Sequence, residues 1–138
     1  MADLVQGPRV DIRFPGNKRV SAEFNGFTVP SDQPVKAGGD GTAPSPFELF
    51  FASLATCAGY YVLEFCRGRD IPLDGVRLSQ VFDRDVATKR VVAVHLQITV
   101  PASFPEKYRS AVVQAAASCA VKKLVENPPA MDIQVAVG

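Results

Sequence analysis

Between Ser45 and Gly68 the chain carries a helix with clearly marked ends and apolar residues on every side. Ser45 suits the N-cap, Pro46 suits the first helical position, and Glu48 completes an S-x-x-E capping box. At the far end Gly68 offers a stop, with Arg67 and Arg69 placed to offset the helix dipole. Between these ends Phe47, Leu49, Phe50, Leu54, Tyr61, Leu63 and Phe65 are spread around the whole circumference. A helix that is apolar all round must be surrounded by protein. A chain of 138 residues can hardly wrap one alone, so a partner subunit is expected to cover part of it. The uncharged run between Glu48 and Glu64 is fifteen residues, short of the ~20 that span a bilayer, so no membrane partner is expected.

Around this helix the pattern is that of an α+β domain, read as one domain over residues 1–138. Val10–Phe14, Arg19–Phe24 and Phe27–Pro30 read as strands, separated by Pro15-Gly16-Asn17 and by the hairpin signal Asn25-Gly26. Ser31 to Ala43 is a loop rich in Pro, Gly and Asp, and it lacks the GxxxxGK[ST] pattern of a phosphate cradle. Val76–Phe82 and Val91–Val100 read as antiparallel strands, with Val92, Val94, Leu96 and Ile98 on one face and His95 on the other. A second helix is expected from near Ser103, at another S-x-x-E, to Asn127-Pro128-Pro129, followed by a final strand over Asp132–Val137.

Fifteen basic and fourteen acidic residues give a net charge of +1, which offers no electrostatic footprint for nucleic acid. Met1–Pro8 is short and polar, so no signal peptide is read and a cytoplasmic location is expected. Three cysteines, Cys57, Cys66 and Cys119, do not make a secreted disulfide framework. With a single histidine and no CxxC pair, no metal site and no cofactor are expected.

In a reducing compartment a cysteine is a small buried hydrophobe or a reactive thiol. Cys57 lies in Ala55-Thr56-Cys57-Ala58-Gly59 and Cys119 in Ala117-Ser118-Cys119-Ala120, both among small residues that leave room around the sulfur. Lys122 and Lys123 follow Cys119 and are placed to favour a thiolate there. Cys66, nine residues after Cys57, points to the opposite side of the helix. Cys57 and Cys119 can pair if their helices pack side by side. The pattern alone favours two inert core cysteines, since buried free cysteine is common.

The stretch from Gly38-Gly39-Asp40-Gly41 through Pro44-Ser45-Pro46-Phe47-Glu48-Leu49, followed by Ser53-Leu54-Ala55-Thr56-Cys57, resembles the signature of the OsmC/Ohr family. The resemblance implies the OsmC-like fold, with N-terminal hairpin strands, a buried central helix and an intertwined homodimer. It implies that Cys57 is the peroxidatic cysteine and Cys119, 62 residues on, the resolving one. It also implies an arginine from the N-terminal hairpins that polarises the peroxide; Arg19 is the nearest match, with Arg13 behind it. The organic-hydroperoxide branches carry a catalytic glutamate directly after the helix-start proline, where this chain has Phe47. Glu48, one position on, is the candidate carboxylate, with helix capping as its other role.

The activity so implied is thiol-dependent reduction of organic hydroperoxides in oxidative-stress defence, with a hydroperoxide substrate and an external thiol reductant. Phe47, Phe50, Phe51, Tyr60 and Tyr61 are the expected lining of an apolar pocket for alkyl or lipid hydroperoxides. The rival reading is a non-catalytic dimeric protein that binds a hydrophobic small molecule at the subunit interface; Phe47 favours it and the cysteine pair opposes it. Both readings expect a dimer at micromolar concentration. A monodisperse monomer in sedimentation velocity would overturn the argument from the all-apolar helix.

Overall fold

Asn25 and Gly26 both adopt positive φ, 51° and 78°, the backbone that a two-residue hairpin needs to follow the twist of its strands. They join strand β2 (Arg19–Phe24) to β3 (Phe27–Ser31), as their identity predicts. Upstream, β1 (Asp11–Gly16) pairs antiparallel with β2, giving a three-stranded sheet in the order β1-β2-β3. β1 continues through Pro15, beyond the expected end at Phe14, because an edge strand tolerates a residue without an N–H. The structure, a computed structural model, describes residues 2–138. The chain divides into two compact units, the first ending at Ala52 and the second running from Ser53 to Gly138.

In the first unit the loop after β3 is folded on one carboxylate. Asp32 is fully buried and accepts hydrogen bonds from Thr42 Oγ1 at 2.6 Å, Thr42 N at 3.0 Å and Gln33 N at 2.7 Å. Its own N–H donates to the Pro44 carbonyl at 3.1 Å, so both ends of the loop are tied to one residue. A Cβ on Gly39 would run into the Gln33 carbonyl, which makes glycine a requirement there. The Thr42 hydroxyl first, then the Thr42 and Gln33 N–H groups, hold the Asp32 carboxyl down at about 2, against the opposing effect of burial.

Helix α1 (Pro46–Arg67) begins at the expected proline. It is long and apolar enough to cross a membrane by length and composition, a test that core helices also pass. Ala58, Val62, Phe65 and Cys66 form its buried stripe at helical spacing, while Phe50 and Tyr60 remain exposed. It ends at Arg67, directly before Gly68 as expected, but Gly68 does not take the left-handed backbone. The left-handed residue is Asp70 (φ 54°), and the Ile71 N–H reaches back to the Cys66 carbonyl at 2.9 Å. Aspartate tolerates this backbone, and burying Ile71 beside the helix end favours the later turn.

In the second unit β4 (Arg77–Arg84) and β5 (Val91–Thr99) form an antiparallel hairpin around an Asp85 turn, whose carboxylate accepts from the Ala87 and Thr88 N–H groups. Leu78, Leu96 and Ile98 pack on a core made by the α1 stripe with Ile71, Phe104, Val112 and Ala116. His95 lies on the outer face as expected, exposed and 2.8 Å from Asp83.

Two expectations need correction here. The second helix is not continuous: a 3-10 turn (Glu106–Tyr108) leads into α2 (Arg109–Ala117), which stops before α3 (Ala120–Glu126). Ser103 caps nothing, since Phe104 turns inward to the core and its N–H goes to Pro101. The final strand over Asp132–Val137 does not form. Ile133, Val135 and Val137 are 88%, 93% and 98% exposed, and a strand exists only by pairing its backbone with another.

Removing the Asp32 carboxylate leaves three inward-facing donors without an acceptor. Asp32→Ala is expected to lower the thermal midpoint by roughly 5 °C or more. A carboxyl with a depressed folded pKa stabilises above its unfolded value and loses that contribution as pH falls. The difference between wild type and Asp32→Ala should therefore be full at neutral pH and vanish between pH 3.8 and about 2, as melting curves over that range will check.

Candidate active site

The break between α2 and α3 makes the site. Cys119 occupies it as the N-cap of α3, with extended backbone (φ −53°, ψ 128°) and its sulfur accepting from the Lys122 N–H at 3.4 Å. Its S–H has two acceptors within reach, the Leu54 carbonyl on α1 at 3.9 Å and the sulfur of Cys57. Cys119 is 1% exposed, whereas Cys57 on α1 is half-buried. The two cysteines of the sequence pattern are therefore brought into hydrogen-bonding contact within one chain.

Their chemistry is unequal. The thiol of Cys57 is pushed below the ordinary cysteine range, chiefly by the S–H of Cys119, then by the backbone N–H groups of Val121 and Ala120, with burial opposing. These donors favour the charged form of the sulfur they face. Burial pushes the Cys119 thiol up, and its hydrogen bond to Cys57 raises it further. So the accessible sulfur is the better thiolate and the buried one is the proton donor.

The expected part of Lys122 and Lys123 is corrected. The Lys122 ammonium pairs with Glu126 at 3.1 Å, and the residue acts on Cys119 only through its backbone N–H. Cys66 lies fully buried in the core beside Val62 and Phe65, with its thiol raised by burial. It has neither access nor a thiol partner among the described residues.

The remaining candidates lie in the first unit. Arg19 opens β2, and its Nη2 donates to Asp40 Oδ2 at 2.8 Å. Arg13, on the edge strand β1, donates to Glu23 at 3.2 Å. Glu48 fulfils the capping box: its Oε1 accepts from Ser45 N at 3.0 Å and Ser45 Oγ at 2.9 Å, and its N–H donates to Ser45 Oγ at 3.3 Å. The Ser45 N–H and hydroxyl hold the Glu48 carboxyl below its usual value. Asp32, Asp40 and the N–H groups of Ala120 and Val121 escaped the sequence reading. The only signal was turn-forming Asp and Thr around the glycines, and the helix break carries no Pro or Gly to announce it.

The second unit also contains an apolar cavity of about 630 Å³ beside Cys119, lined by Leu54, Val92, Val94, Leu96, Ile98 and Val113 among others. No aromatic side chain lines it, so the expected Phe and Tyr pocket is replaced by an aliphatic one built on the inner face of β5. No cluster of metal-ligating side chains occurs among the described residues.

The model of the OsmC-like protein family matches residues 39–134, well over half of the chain. A structure from Psychrobacter arcticus, a candidate osmotic stress induced and detoxification response protein, is 27% identical with a TM-score of 0.72, covering 86% of this chain and 89% of that one. The organic hydroperoxide resistance protein OsmC of Legionella pneumophila shares the fold at 15% identity, TM-score 0.59, over 89% and 91% of the two chains. A candidate organic hydroperoxide resistance protein of Vibrio cholerae, with captopril bound in one of its active sites, does so at 18% identity, TM-score 0.58, over 93% and 89%. No curated protein matches the sequence at significance.

If the Cys119 S–H is the main support of the Cys57 thiolate, its loss must show in titration. Cys119→Ala is expected to move the midpoint of Cys57 alkylation by iodoacetamide to higher pH, while Cys119→Ser, which keeps an O–H donor, moves it less. Equal midpoints in all three proteins would remove Cys119 from that role.

Proposed function

Because this chain belongs to the OsmC-like protein family, we propose that it reduces organic hydroperoxides, with Cys57 as the peroxidatic thiolate and Cys119 as the resolving thiol. The observation that carries this reading is the hydrogen-bonded Cys57–Cys119 pair, half-buried and depressed on one side, buried and raised on the other. Family relatives named as hydroperoxide resistance proteins support it.

In the proposed cycle the Cys57 thiolate attacks the terminal oxygen of the hydroperoxide. The O–O bond breaks, the alkoxide leaves and takes a proton as the alcohol, and Cys57 becomes a sulfenic acid. Once its negative charge is gone, so is part of what raises the Cys119 thiol. Cys119 then loses its proton more easily and attacks the Cys57 sulfur, expelling water and forming the disulfide. An external thiol reductant supplies two electrons to restore both thiols. The resemblance alone assigns Arg19 the polarising of the peroxide. Glu48 holds the start of α1. The reading includes a homodimer and a cytoplasmic location.

The aliphatic cavity beside Cys119 favours a hydrocarbon-bearing substrate, and it also supports a second reading, a protein that binds a hydrophobic small molecule without chemistry. Peptide mapping under non-reducing conditions separates the two. Stoichiometric cumene hydroperoxide should yield one intrachain Cys57–Cys119 disulfide with Cys66 still free, and Cys119→Ser should accumulate Cys57 sulfenate and then over-oxidise. Free Cys57 and Cys119 after excess peroxide would leave the binding protein as the better account.

A further inference from the structure

The two sulfurs that face each other also hold α3 in place. The N–H groups that open a helix have no carbonyl partner inside it, and in α3 all three are met by sulfur. Those of Ala120 and Val121 donate to Cys57 Sγ, and that of Lys122 donates to Cys119 Sγ at 3.4 Å. Backbone bonding within the turn begins only at Lys123, whose N–H reaches the Cys119 carbonyl at 3.1 Å. The Cys119 S–H in turn ties this end to α1 through the Leu54 carbonyl at 3.9 Å. Little else secures the helix. Seven residues are too few to stay helical alone, none of them is buried, and Leu124 and Val125 are 53% and 52% exposed. The Lys122–Glu126 pair is exposed and contributes little. Beyond Asn127 the chain runs on through Pro128 and Pro129 without regular structure. Yet α3 forms a wall of the aliphatic cavity, to which Lys122, Val125 and Glu126 contribute.

We propose that α3 is a redox-controlled flap: the thiol pair clamps it, and the Cys57–Cys119 disulfide releases it, opening the cavity and the Cys119 sulfur to a thiol reductant. This rests on the disulfide of the hydroperoxide-reduction reading and adds a movement to it. In the disulfide neither sulfur carries a charge or a proton. Cys57 then no longer draws two N–H groups as a thiolate, and Cys119 has no S–H to offer Leu54. The Cys119 sulfur must also close from hydrogen-bonding contact to covalent distance, which takes it out of its place beside the Lys122 N–H. With its opening donors unmet and no buried side chain, α3 frays. The release serves the last step of the cycle. A reductant thiolate attacks the Cys57 sulfur, the S–S bond breaks, and Cys119 leaves as a thiolate that takes up a proton. A second reductant thiol attacks the mixed disulfide, returning Cys57 and leaving the reductant as its own disulfide. Cys119 leaves more readily where water receives it than in the 1% exposed position it holds as a thiol.

The experiment follows amide hydrogen exchange in the whole chain as dithiol and as disulfide. The disulfide is made with cumene hydroperoxide and, separately, with diamide, which takes two electrons and two protons from the thiols. Exchange across α3 should be roughly tenfold faster in the disulfide, the effect of losing a helix cap, and should return to its first rate with dithiothreitol. The middle of α1 should stay protected in both forms. Cys57→Ser, which cannot form the bond, should show no change on adding diamide. Leu124→Pro unwinds α3 in either state, so dithiothreitol should reduce its disulfide within about twofold of the wild-type rate. Equal α3 exchange in dithiol and disulfide overturns the flap while leaving hydroperoxide reduction intact, and it does so without any variant. The same acceleration in Cys57→Ser, or a Leu124→Pro disulfide reduced many times faster than the wild-type one, overturns it as well. A disulfide made by diamide but not by the hydroperoxide, with fast α3 exchange, supports the flap and defeats the peroxide reading. Cysteines that neither oxidant joins defeat both.

Discussion

The hydrogen bond between two cysteine sulfurs, one on α1 and one at the start of α3, exists because the second helical segment stops at Ala117 and begins again at Ala120. In an unbroken helix the N–H groups of Ala120 and Val121 would be spent on carbonyls four residues back. Restarting the helix frees them, as the first N–H groups of any helix are free, and here they face the Cys57 sulfur. The same break extends the backbone at Cys119 and turns its side chain inward. One local departure from regular structure thus supplies three donors to the Cys57 sulfur and places the second thiol within reach of the first.

The inequality of the two thiols follows from neutral donors around one and burial of the other rather than from a nearby cation. No ammonium or guanidinium is among the groups that depress Cys57; neutral donors do it. Such donors are short-range and directional, so their effect is confined to the sulfur they face. Cys119 experiences the reverse, because a buried thiol beside a thiolate resists giving up its proton. Cys66 shows the limiting case, a thiol in a hydrocarbon core whose burial outweighs the opposing charge of Arg69. Three cysteines in one chain therefore acquire three reactivities from three surroundings.

The first unit solves a different problem, that of giving shape to a loop with few apolar residues. A buried carboxylate is costly unless its lone pairs are filled, and Asp32 fills them with donors from Gln33 and Thr42. The glycines between supply the close backbone approach. The result is an ordered connection into α1, where the Ser45–Glu48 box satisfies the next set of free N–H groups.

Much of this was legible in residue order, wherever the governing interaction is local. Asn25-Gly26 announced its turn, Ser45-Pro46 with Glu48 announced the start of α1, and alternation in β5 assigned Val92, Val94, Leu96 and Ile98 to one face and His95 to the other. The C-terminal alternation of Ile133, Val135 and Val137 is as good a strand signal, yet that segment stays unpaired, since period alone cannot supply a neighbouring backbone. Nor does any residue mark the stop at Ser118; Ala, Ser and Cys are acceptable inside a helix. That Cys57 is the more acidic was implied by the resemblance but not legible in local pattern, because the donors to Cys57 come from residues more than sixty positions away. Residue order named the cysteines and the elements that carry them, because capping, turn and alternation preferences act over a few residues. The placing of α3 beside α1 decided which thiol is the more acidic, because a thiol's acidity depends on the atoms around it in space.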